Sequence, residues 1–176
     1  NNQLLLDLLE AMTPVYRAVY EKSRYTCIAA LLNSGHPVTV CGSGWDDFPT
    51  QHKELLTILQ DKKYMIEDVV RLMEDAKIVL NISPVFCHGA HERVFTAILA
   101  GAVCASDENE YLHEIFTENE LLFYAMTELD RLPEEIDKLL NEPERAKAMT
   151  EAAYEKAAGH YTWEKAGEEL LQLLNV

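Results

Sequence analysis

Basic residues are scarce in this chain. Lysine and arginine together number 15 against 30 aspartates and glutamates, a formal charge of −15 over 176 residues. Nucleic acid and anionic membrane surfaces both demand a clustered basic face, so neither is expected as a partner. Between Asp107 and Glu144, thirteen carboxylates face only Arg131 and Lys138, so any bound phosphate has to find its positive field elsewhere. Long apolar runs are also missing. None approaches the roughly 20 residues of a membrane-spanning helix, and no signal-peptide pattern opens the chain, so a protein integral to a membrane is not expected. The four cysteines, Cys27, Cys41, Cys87 and Cys104, are widely spaced and form no C-x-x-C pair. They read as buried free thiols in a reducing, cytoplasmic compartment. A zinc site on Cys87, His88 and His91 lacks a fourth ligand at a workable spacing, so no metal is expected. The absence of a G-x-S-x-G elbow leaves a stand-alone hydrolase with little support, and acid pairs such as Asp46-Asp47 and Asp107-Glu108 read as solvated turns.

What is present is an alternation of apolar strands and amphipathic helices. The length suits one domain with one good core. Residues 3–11 and 14–32 read as two helices, with Thr13 capping the second and Pro14 at its first position. Arg17, Lys22 and Arg24 form a basic cluster on that second helix, either a solvated face or a ligand contact. Strands are expected at 37–41, 55–59, 77–83, 102–106 and 121–124, and helices at 64–76, 111–116, 128–140, 143–158 with a stop at Gly159, and 162–174. The helix at 64–76 is expected to bury Met65, Val69, Val70, Leu72 and Met73, and Asp107 to Glu110 to form a polar loop. Alternation of this kind predicts an α/β fold with a mainly parallel sheet of about five strands, helices on both faces and a helical C-terminus. Strands 78–83 and 38–42 are placed near the centre. Gly42-Ser43-Gly44 follows the first strand, but Trp45-Asp46-Asp47-Phe48-Pro49 does not open a helix, which rules out a dinucleotide turn there.

The stretch around which the chain is organised is Pro84 to Gly101, PVFCHGAHERVFTAILAG, between the apolar runs KIVLNIS and AVCAS. Val94, Phe95, Ile98 and Leu99 form a helical stripe, Glu92 and Thr96 share the opposite face, and Gly101 is a stop signal. Gly89 and Ala90 let the backbone approach a ligand closely. Unpaired N–H groups near Gly89, Ala90 and His91 would make the helix start an anion site, with His91 and Arg93 as added donors suited to a diphosphate. The loop lies beyond the carboxyl end of the third strand, where open α/β sheets bind ligands.

The run HGAHERVF, followed by AILAGAV and SD, resembles the donor-binding segment in the C-terminal half of GT-B glycosyltransferases, closest to the YkvP/CgeB-like branch. The G-x-G-W turn at Gly42 and Gly44, the tyrosine and basic residues around Arg17, and His160-Tyr161-Thr162-Trp163 are similar to further segments of that family. The resemblance spans about Arg17 to Leu174 and is most specific over 88–107. It implies a Rossmann-like three-layer sandwich and a nucleoside-diphosphate sugar as donor, with no metal or organic cofactor. The diphosphate would sit at Gly89, Ala90, His91 and Arg93, and the ribose or base near Glu92, Thr96, Gln60 and Tyr64. Arg17, Gly42, Gly44, His88 and Asp107 are further candidates. The broader pattern of two glutamates eight positions apart would fall on His88 and Thr96, and neither is acidic here; the carboxylate at the position of Thr96 often binds the ribose in the family. Tyr64 would either stack on a base or staple its helix onto the core.

Two functions follow. The chain is expected to be the donor half of a two-domain glycosyltransferase of hexosyltransferase type, residues 1–176 forming one Rossmann-like domain and the N-terminal half lying outside it. Alternatively it is a non-catalytic nucleotide- or sugar-binding module that kept the fold and lost the donor chemistry. In the first case the isolated domain is expected to be inactive, and its last helix, apolar at Leu170, Leu171, Leu173 and Leu174, to need a partner surface.

Overall fold

The computed structural model describes residues 2–86 and 88–174. Among them the chain runs α1 (Asn2–Asn33), β1 (Val38–Cys41), β2 (Leu56–Leu59), α2 (Ile66–Glu74), β3 (Ile78–Asn81), α3 (Glu92–Leu99), β4 (Val103–Asp107), α4 (Glu110–Ile115), β5 (Leu122–Tyr124), α5 (Leu132–Asn141), α6 (Pro143–His160) and α7 (Trp163–Leu173). All the strand pairings are parallel, as the strand and helix alternation predicts. The five strands do not form one hydrogen-bonded sheet, however. β1 pairs with β2, and β3–β4–β5 form a separate ladder. β4 is thus the strand with neighbours on both sides, whereas β1 and β3, expected at the centre, each end a ladder. Side chains join the two ladders: Val38 and Leu80 both pack into the same two core clusters.

Strand β4 shows why the sheet needs helices on both faces. Its Val103 and Ala105 pack with Cys27 and Leu31 of α1 and with Leu132, Ile136 and Leu139 of α5. Cys104 points the other way, into Val94, Ala97 and Ile98 of α3, Leu112 of α4 and Ala153 and Ala157 of α6. This period-2 alternation between two buried faces is what a near-continuous apolar strand encodes. A third cluster under β1 holds Ile28, Leu32, Val40, Trp45 and Phe48, so the segment after the first strand folds back onto the core instead of only leaving the sheet.

Several boundaries depart from the sequence reading. Helix α1 is continuous through Pro14. Its periodicity at Leu5, Leu8, Met12, Val15 and Val19 runs straight across the proline, and Thr13 Oγ1 donates to the carbonyl of Leu9 at 2.9 Å, so Thr13 is an interior residue and not a cap. Gly159 lies inside α6, which continues to His160. Met65 is the N-cap of α2 and is exposed, outside the buried face formed by Met73 with Val69 packed beside it. Cys27 and Cys104 are buried free thiols, Cys41 is half-buried, and Cys87 lies outside the described residues. The exposed apolar side chains cluster at the start of α1 and on α7, where Leu170, Leu171, Leu173 and Leu174 all face solvent. No described helix is long and apolar enough to cross a membrane.

Candidate functional site

Strands β3 and β4 are apolar until their carboxyl ends and then turn polar without becoming exposed. Asn81, Ser83, Ser106 and Asp107 are the buried polar residues of the described chain. Asn81 stands opposite Ser106 in the ladder. Its Nδ2 donates to Ser106 Oγ at 2.9 Å, its Oδ1 accepts from Ser83 Oγ at 3.2 Å, and its main-chain carbonyl accepts from the Tyr124 hydroxyl at 2.7 Å. Ser83 N–H donates to Asp107 Oδ1 at 2.9 Å. Such a network is tolerated in a core because nearly every group has a partner. Burial nonetheless pushes the Asp107 carboxyl above its ordinary range, against the opposing pull of the Ser83 N–H and Arg93. Asp107, read from the sequence as part of a solvated loop, is the buried last residue of β4.

The loop out of β3 leads into α3. Gly89 sits at φ +115°, a left-handed conformation that a side chain would strain. Its carbonyl accepts from Asn109 Nδ2 at 3.3 Å, while Asn109 Oδ1 caps α4 through Leu112 N–H at 2.8 Å. One asparagine therefore ties the loop to the neighbouring helix. Ala90 packs against the α3 core cluster. His91 is the N-cap of α3, and its Nδ1 accepts the Arg93 N–H at 3.1 Å. The Val94 N–H is also taken, by the His91 carbonyl at 3.1 Å. The helix start is thus less open than its sequence implies. The N–H groups of Gly89, Ala90, His91 and Glu92 remain without a partner among the described residues. Since Nδ1 accepts, the neutral imidazole carries its proton on Nε2 and offers it as a donor. Burial, then the Arg93 charge, pulls the His91 pKa below its ordinary value, which favours that neutral form.

Arg93 points inward. Its Nη1 donates to Asn81 Oδ1 at 3.2 Å, and it forms no ion pair with the described residues. Glu92 is exposed, and the half-buried Thr96 gives its hydroxyl to the Glu92 carbonyl at 3.0 Å. His88 is exposed with Nδ1 3.3 Å from Glu110, itself exposed. Beside this loop an open depression of about 550 Å³ is lined by Glu108, Asn109, Glu110, His113 and Glu114. Its carboxylates make it a poor seat for an anion.

The remaining candidates gather at the carboxyl ends of β1 and β2. Gly42 and Gly44 both have positive φ, and no helix opens after them. Gly42 N–H extends the ladder to Leu59, and the Gly44 carbonyl accepts from the Tyr25 hydroxyl at 2.6 Å. Tyr25, Trp45 and Phe48 pack ring to ring below the turn, with the Arg24 guanidinium 4.4 Å over the Trp45 ring. Gln60 Nε2 donates to Asp46, which joins the loop after β2 to this turn. Tyr64 is half-buried and bonds Asp61 at 2.8 Å, and that bond pushes its pKa up to about 12. Arg17 is exposed on the outer half of α1 and joins neither group. The structure therefore brings Gly89, Ala90, His91, Arg93 and Asp107 together around residues the sequence reading missed: Asn81, Ser83, Ser106 and Asn109. The available signal was polar pairs closing two apolar runs, LNIS and CASD. Among the described residues, no three His, Cys, Asp or Glu side chains are grouped to hold a metal.

A glycosyl transferase-like family model matches residues 22–172 of the chain. Among solved structures, a glycosyltransferase from Rickettsia africae ESF-5 superposes with a TM-score of 0.67 at 13% identity, covering 88% of this chain and 44% of that one. At that identity the likeness concerns the fold, and this chain spans less than half the length of the matched protein. No curated protein matches the chain in sequence.

Proposed function

Because the chain belongs to the glycosyl transferase-like family, we propose that its α3 start is the diphosphate seat of a nucleoside-diphosphate sugar. The observation that carries this reading is Arg93. On an acidic chain, it is a half-buried guanidinium with no carboxylate partner among the described residues, beside free N–H groups and a neutral histidine donor. Those groups converge at the carboxyl ends of two parallel strands, where an α/β sheet leaves room for a ligand. The diphosphate would be held by the N–H groups at Gly89 to Glu92, by His91 Nε2 and by the free donors of Arg93. The acceptor-rich depression at Glu108, Glu110 and Glu114 suits the hydroxyls of the sugar, and Gln60 and Tyr64 are the groups offered to the base. No metal or organic cofactor has a role in this scheme.

In the fuller form of the proposal, the chain is the C-terminal, donor-binding half of a two-domain, cytoplasmic GT-B enzyme of the YkvP/CgeB-like branch. The acceptor would be held by the N-terminal half. The match to under half of a longer glycosyltransferase supports this division. A second reading, a nucleotide- or sugar-binding module without transfer activity, is favoured by one residue: Thr96 is bonded back to its own helix and presents no carboxylate to a ribose.

The test is titration of the ¹⁵N-labelled chain with UDP and GDP. Amide shifts should centre on 88–93, and Arg93→Ala should weaken binding by about 1–3 kcal/mol, the range for a hydrogen bond to a charged group. Shifts confined to other regions, or none at all, would remove the assignment.

A further inference from the structure

We infer that Asn81 is the positioning residue of this anion site: its neutral amide holds the Arg93 guanidinium at the end of β3 while leaving the positive charge available to a diphosphate. The inference rests on the diphosphate reading above and adds to it a residue that touches no ligand.

The orientation of the amide follows from its neighbours. Asn81 is 1% exposed, so its side chain has no water to turn to. Ser106 Oγ gives its own proton to the Asp107 carbonyl at 3.2 Å and is left as an acceptor, which requires Asn81 Nδ2 on that side. Oδ1 must then face Ser83 Oγ and Arg93 Nη1, both donors at 3.2 Å. Flipping the amide would set NH₂ against a guanidinium that can only donate. The Tyr124 hydroxyl, on the Asn81 carbonyl, fixes the main chain at the same residue. Asn81 is therefore held at three atoms by groups other than Arg93, and the arginine rests on an acceptor whose orientation those groups set.

The neutrality of that acceptor is what matters for an anion. Arg131 and Arg145 each give their guanidinium to a glutamate, Glu128 and Glu142, and the charge of each is compensated on the spot. Arg93 donates one hydrogen bond to an amide oxygen that carries no charge, so it is oriented without being neutralised. Asp107, the acid nearest in the network, points Oδ1 at the Ser83 N–H instead. A carboxylate in place of the Asn81 amide would pair with Arg93 in a buried setting and compete directly with phosphate.

The experiment is a double-mutant cycle read by calorimetric titration with inorganic pyrophosphate, on the full chain and on Asn81→Ala, Asn81→Asp, Arg93→Ala and Asn81→Ala/Arg93→Ala. Both Asn81 variants should bind about tenfold more weakly or worse, and Asn81→Ala should add nothing once Arg93 is gone, since residues acting through one another are non-additive. Asn81→Asp keeps the shape of the side chain and decides the matter should Asn81→Ala be unfolded by circular dichroism. In the unaltered chain, the Arg93 side-chain N–H resonances should be resolved before pyrophosphate is added and shift on its addition. If Arg93→Ala weakens binding while both Asn81 variants bind as the parent does, or if the two losses simply add, the positioning role is overturned and the diphosphate reading stands. If the parent chain does not bind pyrophosphate, or Arg93→Ala binds it equally well, the diphosphate reading falls and the role of Asn81 falls with it.

Discussion

The main-chain N–H of Ser83, just past β3, donates to Oδ1 of Asp107 at the end of β4, 2.9 Å across two buried residues. This bond closes the polar end of the ladder and holds the start of the loop that carries the candidate site. It also leaves a carboxyl where ionisation is disfavoured, because burial raises the Asp107 pKa more than its partners lower it.

The sign of that shift gives the first prediction. A carboxyl whose folded pKa lies above its unfolded value favours the folded state below the unfolded pKa, and that contribution is lost as pH rises through the folded one. Asp107→Asn keeps an oxygen for the Ser83 N–H and removes the ionisation. Relative to the parent, it should gain stability at pH 7, and that gain should shrink as pH falls from the raised folded pKa towards about 4, the ordinary carboxylate range, and be gone below it. Denaturant melts of both chains from pH 3 to 8 would show it; a pH-independent difference would mean that Asp107 is not held toward its neutral form.

His91 behaves oppositely. Its Nδ1 can accept the Arg93 N–H only while the ring is neutral, and its pKa is lowered by burial and by Arg93. A histidine with a depressed folded pKa contributes stability that is present above the unfolded value, about 6.5, and lost as pH falls through the folded one. His91→Asn replaces one N-cap acceptor with another that does not titrate there. It should match the parent at pH 8 and be the more stable chain at pH 5, by about 0.5–2 kcal/mol, the usual worth of a cap. Equal pH profiles for the two proteins would remove the cap from the account of the loop.

These two residues also mark what could be read from the sequence. The α3 stripe of Val94, Phe95, Ile98 and Leu99, the glycine stop at Gly101 and the strand runs are local patterns, and each is found within a residue or two of its expected place. Asn81 and Ser106 fall within the expected strands, and the polar pairs closing those runs were the one local hint of them, because their burial comes from facing one another across a ladder, 25 positions apart in the chain. Asp107 was misplaced for the same reason. Pro14 misled in the other direction: a proline after threonine is a sound helix-start signal, and only the unbroken apolar periodicity on both sides argued against it. The separation of β1–β2 from β3–β5 has no local signature at all, since continuous apolar strands look alike whether main-chain bonds or side chains join them.

Thr96 separates the two functional readings. It lies one turn after Glu92 on the outer side of α3, and its hydroxyl is tied to the Glu92 carbonyl at 3.0 Å. Thr96→Glu would offer a carboxylate to ribose hydroxyls at the position where the resembled enzymes often have one. If the site takes a nucleoside diphosphate, the variant should bind UDP or GDP more tightly by about 1–3 kcal/mol, the scale of a hydrogen bond to a charged group, and leave inorganic pyrophosphate unaffected. An unchanged affinity for the nucleotides would favour a different ligand and the binding-module reading.

The last prediction is that these 176 residues bind donor without transferring sugar. Glycosyl transfer between two substrates requires both to be positioned, and orientation of reactants is worth about 7–11 kcal/mol of barrier when complete. The candidate groups lie at the carboxyl ends of two short parallel ladders, and they offer the proposed anion seat and an acceptor-rich depression but no second lobe among the described residues. The chain matches under half of a longer glycosyltransferase, and apolar side chains of α7 and of the first turns of α1 stand in solvent. Without the acceptor side, slow donor hydrolysis should be the upper limit of activity. A coupled assay for released nucleoside diphosphate, run over a panel of nucleotide-sugars with and without simple sugar acceptors, measures this directly. The expected release is low and independent of acceptor; acceptor-dependent turnover by this chain alone would show that the whole catalytic centre lies within it.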